Sequence, residues 1–135
     1  EGMGRFVASQ LVKAMLHRCI QVNGARVLVM GLTFKENCPD LRNTRVVDVV
    51  KELQDYNITV DVYDPWIDAG ESEHEYGITP VTQPEAESYD GIILAVGHRQ
   101  FKDMGAKDIR GLGKPEHVLY DLKYILSKDS VDLRL

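Results

Sequence analysis

Two stretches of this chain are apolar almost without interruption and too short for free-standing helices: Arg26-Val27-Leu28-Val29-Met30-Gly31 and Gly91-Ile92-Ile93-Leu94-Ala95-Val96. A strand with one wet face alternates apolar and polar residues, whereas a parallel strand covered on both faces does not. These runs therefore read as central strands of a parallel sheet, with Val118-Leu119-Tyr120-Asp121 as the last central one. Ile58 to Tyr63 alternates like a further strand, and Asp64-Pro65-Trp66 closes it. Between the first two strands, Val46, Val47, Val49, Val50 and Leu53 recur at the spacing of one helix face. A first helix is expected from about Met3 to Cys19, with Val7, Leu11, Met15 and Ile20 on one side, and Asn23-Gly24 as its stop and turn. Residues 68 to 90 mix acidic residues, Gly and Pro, so they are expected to form peripheral loops and short helices around a brief strand at Ile78 to Val81. Gly105 to Pro115 is the most loop-like stretch. Strands alternating with helices through short connections imply a Rossmann-like, doubly wound α/β fold, mainly parallel, with helices on both faces.

In such a sheet ligands dock beyond the carboxyl ends of the strands. The segment there, Gly31 to Thr44, carries Lys35 and Arg42, and Asp40, Asn43 or Thr44 can cap the helix that follows. That helix start leaves N–H groups facing the loop, where an anion could use them. Lys35, Arg42 and Lys123 could form a local basic pocket although the whole chain carries a net charge of −5. The acidic excess, with no basic stripe, argues against a nucleic-acid partner. No apolar run is long enough for a bilayer and no signal peptide is evident, so no membrane partner and a cytoplasmic location are expected. With 135 residues, 44% of them hydrophobic, the chain can bury one core. Cys19 and Cys38 lack metal-ligand or redox spacing, so no metal is expected and Cys38 reads as a small loop residue rather than a nucleophile. No Gly-x-Gly-x-x-Gly follows the first strand, so this sheet is not obviously the one that holds a dinucleotide. Asp64 then reads as a strand-end turn residue, and His98 as a structural hydrogen-bonding group or a polar wall of the cleft, with no partner in sequence for a catalytic triad.

The pattern Gly31-x-x-Phe34-Lys35-x-x-x-x-Asp40-x-Arg42-Asn43-Thr44 resembles the signature that opens the C-terminal, UDP-binding domain of the UDP-glucose/GDP-mannose dehydrogenase family. Its Glu36-Asn37-Cys38-Pro39-Asp40 version is most similar to the branch that oxidises UDP-N-acetylhexosamines for bacterial surface polysaccharides. Val62-Tyr63-Asp64-Pro65, Leu94-Ala95-Val96-Gly97-His98 and Leu119-Tyr120-Asp121-Leu122-Lys123 resemble later strand ends of that domain, and Glu1-Gly2-Met3-Gly4 the end of the family's inter-domain linker.

The resemblance implies a division into residues 1–22, the end of an inter-domain helix, and residues 23–135, the UDP-sugar-binding domain. It implies that Phe34, Lys35 and Lys123 bind substrate, with Phe34 packing the loop and presenting its backbone, and that Arg42 reaches toward bound NAD. Lys123 stands where arginine is expected in the UDP-glucose branch, and an ammonium cannot reproduce a bidentate fork. No catalytic residue is expected in this chain: the family oxidises a C6 alcohol to a carboxylate in two hydride transfers to NAD, through a thiohemiacetal and thioester on a cysteine of another motif. The partners implied are the UDP-sugar, the N-terminal and central domains of the same enzyme, and further copies in a homo-oligomer. The rival readings are a UDP-glucose 6-dehydrogenase fragment and a stand-alone flavodoxin-like ligand-binding module. A severed dehydrogenase is expected to leave the face of the first helix along Phe6, Val7, Leu11 and Met15 bare; a stand-alone module would bury it.

Overall fold

The computed structural model describes residues 2–135. Its elements run α1 (Met3–His17), β1 (Arg26–Met30), α2 (Val46–Asp55), β2 (Thr59–Tyr63), α3 (Ala69–Tyr76), β3 (Tyr89–Leu94), α4 (Arg99–Arg110) and β4 (Gly113–Asp121), then a 3-10 turn (Lys128–Ser130) and the short β5 (Leu133–Arg134). All neighbouring strands are parallel, in the order β2-β1-β3-β4-β5. This order reverses direction between β1 and β3, which makes their carboxyl ends the switch point of a doubly wound sheet.

The continuous apolar runs are explained by what covers them. Val27 and Val29 of β1 face the layer containing Val7, Leu11 and Met15 of α1 and Val46, Val49 and Leu53 of α2, while Leu28 and Met30 face Phe101 and Ile109 of α4. Helices thus occupy both faces, and α1 and α2 share one of them. They approach closely because residue 4 is glycine: a Cβ there would lie 2.7 Å from the Cβ of Asp48.

Four expectations need correction. The face of α1 is not bare: Val7, Leu11 and Met15 have no exposed area, and Phe6, 51% exposed, alone of the four faces solvent. The sheet and α2 cover it. That helix also ends before Cys19 and well before Asn23-Gly24. Cys19 adopts a left-handed conformation (φ 61), its N–H reaches the Leu16 carbonyl, and Ile20 N–H reaches that of Met15. This is a Schellman stop with cysteine in the usual glycine position, sealed by the burial of Met15 and Ile20.

Ile78 to Val81 forms no strand; its tie to the sheet is the bond from Val81 N–H to the Val62 carbonyl. Gly105 to Pro115 is mostly ordered into α4 and β4. Gly105 (φ 77, ψ 169) is not helical and breaks α4 into two helical pieces, and Pro115 lies where the β3–β4 register jumps from Tyr89↔Gly113 to Gly91↔Val118, so it removes no ladder bond. The opening Gly2-Met3-Gly4 leads directly into α1, and Glu1 lies outside the described residues.

Candidate functional site

The chain leaves β1 through Gly31, whose φ of 105 is denied to other residues. A Cβ there would sit 2.6 Å from that of Val96, so glycine lets the ends of β1 and β3 close on each other. Gly31 N–H bonds to the Tyr63 carbonyl and Ala95 N–H to that of Met30, fixing both turns to the sheet. Over this seam lies a cleft of about 330 Å³, lined by Thr33, Phe34, Lys35 and Glu36 after β1, Ala95 and Val96 after β3, and Leu122 and Lys123 after β4. The start of α2, Met3 of α1 and Leu135 complete it.

Phe34, Lys35 and Lys123 therefore share one cleft. Arg42 does not line it. Its side chain is 87% exposed, and its guanidinium bonds to both oxygens of Asp40, at 3.0 and 3.1 Å. Asp40 thus serves Arg42 and its backbone N–H, which hold the carboxyl below its usual range, while Thr44 Oγ1 takes the Val46 N–H at the start of α2. Phe34 differs from expectation. Its ring is 56% exposed at the rim instead of packing the loop, and its N–H is already bonded to the Asp40 carbonyl at 2.8 Å. Arg45 lines the cleft as well and was missed by motif reading; three residues beyond Arg42, it lies where α2 begins and turns back toward the pocket. Among the described residues, Lys35, Arg45 and Lys123 have no ion-pair partner. A concave site with three cations outside any ion pair, one carboxylate, Glu36, and an apolar wall suits a ligand bearing an anionic group and a flat or apolar part.

Beneath the loop, Asp64 and His98 are fully buried and joined, Nε2 to Oδ2, at 2.9 Å. They stand 34 residues apart, at the ends of β2 and β3, so no local signal links them. Thr33 Oγ1 lies 3.2 Å from the same Nε2. A nucleophilic triad places hydroxyl and carboxylate on opposite ring nitrogens. Here both meet one nitrogen, and the cluster is structural. Burial pushes the Asp64 carboxyl up, but the bonds from His98 and from the N–H groups of Leu32 and Trp66 outweigh it and hold the group below its usual range. The acid that holds a ribose in dinucleotide domains is thus committed to the chain's own backbone. Gly31, likewise, is filled by Val96 and not open to a pyrophosphate. These residues do not form a dinucleotide cradle.

Fold and cleft together define a doubly wound α/β domain with its ligand cleft at the switch point. The chain belongs to the UDP-glucose/GDP-mannose dehydrogenase family, whose UDP binding domain matches residues 28–128. It is 70% identical over its whole length to UDP-N-acetyl-D-glucosamine 6-dehydrogenase of Pseudomonas aeruginosa and 58% identical to the enzyme of the same name from Salmonella typhi, covering 32% of each. The chain thus spans about a third of the length of these relatives. Among solved structures, NDP-N-acetyl-D-galactosaminuronic acid dehydrogenase of Methanosarcina mazei superposes over 96% of this chain and 27% of its own, with a TM-score of 0.79 at 22% identity, a likeness of fold. In this family member the sheet and α2 bury the face of α1 themselves, so its burial does not separate a dehydrogenase domain from a stand-alone module.

Proposed function

We propose that this chain is the nucleotide-sugar-binding part of an NAD-dependent UDP-N-acetylglucosamine 6-dehydrogenase, an enzyme that converts a C6 alcohol to a carboxylate. The observation that carries the reading is the 70% identity to the Pseudomonas aeruginosa enzyme over the whole chain, the cleft included in the matched length. Lys35 and Lys123 take the diphosphate as point charges, Arg45 adds a third cation, and the exposed Phe34 ring forms an apolar wall. Arg42, turned outward and steadied by Asp40, reaches toward NAD held by another domain of the same protein. NAD would accept the hydride; the residues here bind and orient the substrate, which lowers the barrier by fixing geometry.

The test is calorimetric titration of the chain with UDP. Binding is expected, and Lys35→Ala should weaken it about ten-fold to a hundred-fold, the value of a charge-assisted contact of about 1.5 to 3 kcal/mol. An unchanged affinity in a variant that melts like the parent would remove Lys35 from the site. The isolated chain should produce no NADH from UDP-N-acetylglucosamine and NAD at 340 nm. Turnover that vanishes in Cys38→Ala would overturn the division of labour.

A further inference from the structure

We propose that His98 is the positioning residue of the ligand loop, its ring holding both ends of Thr33–Asn37 so that Lys35 is presented to the cleft before any ligand arrives. The proposal rests on the reading of that cleft as a UDP site. His98 has no exposed area and does not line the cleft, so it acts through the loop. Its Nδ1 accepts the backbone N–H of Asn37 at 2.9 Å. An accepting Nδ1 carries no proton, which places the ring proton on Nε2, aimed at Asp64 Oδ2 at 2.9 Å, with Thr33 Oγ1 at 3.2 Å. The Thr33 hydroxyl in turn donates to the Lys35 carbonyl at 2.9 Å. At the far end, the Asn37 side-chain oxygen accepts Arg99 N–H at 2.8 Å.

One ring thus meets the loop at Thr33 and Asn37, with Lys35 between them. Asn37 sits at φ 56, in the left-handed region that asparagine tolerates better than most residues, and the bonds to His98 and Arg99 hold the loop in this shape. Asp64, anchored by Leu32 N–H and Trp66 N–H, and the edge contact with the Phe101 ring, 5.4 Å between centroids, fix the imidazole itself. Without the ring, Lys35 would hang from a loop that must order on binding, and that ordering costs affinity.

The two nitrogens can be tested separately. In His98→Asn the side-chain oxygen can stand where Nδ1 stood and accept the Asn37 N–H; in His98→Gln the amide N–H can stand near Nε2 and serve Asp64, leaving Asn37 without an acceptor. Titrated with UDP, His98→Asn should stay within about threefold of the parent, and His98→Gln should lose about tenfold or more, with faster amide exchange at Lys35 and Asn37. Equal affinity and equal exchange in both variants, each melting cooperatively, would overturn the proposal. The unaltered chain supplies a measurement that needs no variant: nitrogen-15 shifts of the His98 ring should report the neutral Nε2–H form, and the Asn37 amide should be protected from exchange. An Nδ1–H ring or an unprotected Asn37 amide would also overturn it. If the parent fails to bind UDP while His98 and Asn37 behave as stated, the UDP reading fails and the positioning role stands.

Discussion

The two rims of the sheet use charge in opposite ways. At the amino-terminal rim, Arg26 bonds to Asp61 at 2.9 Å and Glu85 at 2.8 Å, Tyr89 donates to Asp61 at 2.6 Å, and Lys114 meets both oxygens of Asp90. Asp90 also accepts the first N–H of β1. These charges are answered by the chain itself. At the carboxyl-terminal rim the buried polar groups, Asp64, Thr33 and His98, are equally satisfied, but Lys35, Arg45 and Lys123 above them are left facing the cleft. The paired rim supports strand order, and the unpaired rim is held rigid from below while its cations wait for a partner outside the chain.

Substitutions at the two rims should therefore separate stability from binding. The largest effect is expected at the seam itself: Gly31→Ala forces φ 105 on alanine and drives its Cβ into Val96, and a loss of more than about 3 kcal/mol in urea unfolding is expected. A mild loss would mean that β1 and β3 can part without cost. Next, Asp90→Ala leaves the Arg26 N–H and the Lys114 ammonium without their acceptor and should cost about 1 to 3 kcal/mol of stability while UDP affinity stays put. Lys35→Ala should show the reverse, affinity lost and melting unchanged. A crossed outcome, with Asp90 governing UDP binding, would erase the distinction between the rims.

The rims should also part on the pH scale. Burial, followed by the bond to Asp61, pushes the Tyr89 phenol up to about 12, so its contribution is present below the ordinary value of 10.0 and lost as pH rises from there toward 12. Asp64 is held below the ordinary value of 3.8, so its contribution is present above that pH and lost as acid titrates the folded carboxylate. Asp64→Asn should flatten the acid limb and Tyr89→Phe the alkaline one. Stability curves in which neither limb moves would show that these groups do not couple to folding. The smallest effect belongs to a site on neither rim: Cys19→Gly relieves the left-handed stop of α1 and should raise stability by up to about 1 kcal/mol, offset by the freer unfolded chain.

Residues 26–31, 91–96 and 46–53 declared their structure locally, because a strand buried on both faces must be apolar throughout and a helix on a sheet must repeat its apolar stripe. The Gly31 to Thr44 motif likewise put Lys35 at the carboxyl edge of the sheet, and the family membership of the chain bears out the reading of that motif. The helical turns that resume after Gly105 and the full length of β4 were hidden because Gly105 and Pro115 read as breakers; the helix does break at Gly105 but restarts beyond it, and the register jump against β3 accommodates Pro115. Nor could residue order show that Asp64 and His98 meet, or that Arg45 turns into the cleft while Arg42 turns out. Periodicity records which face of an element is covered. Contacts between strand ends depend on which strands lie side by side, and the order β2-β1-β3 is decided only when the sheet assembles.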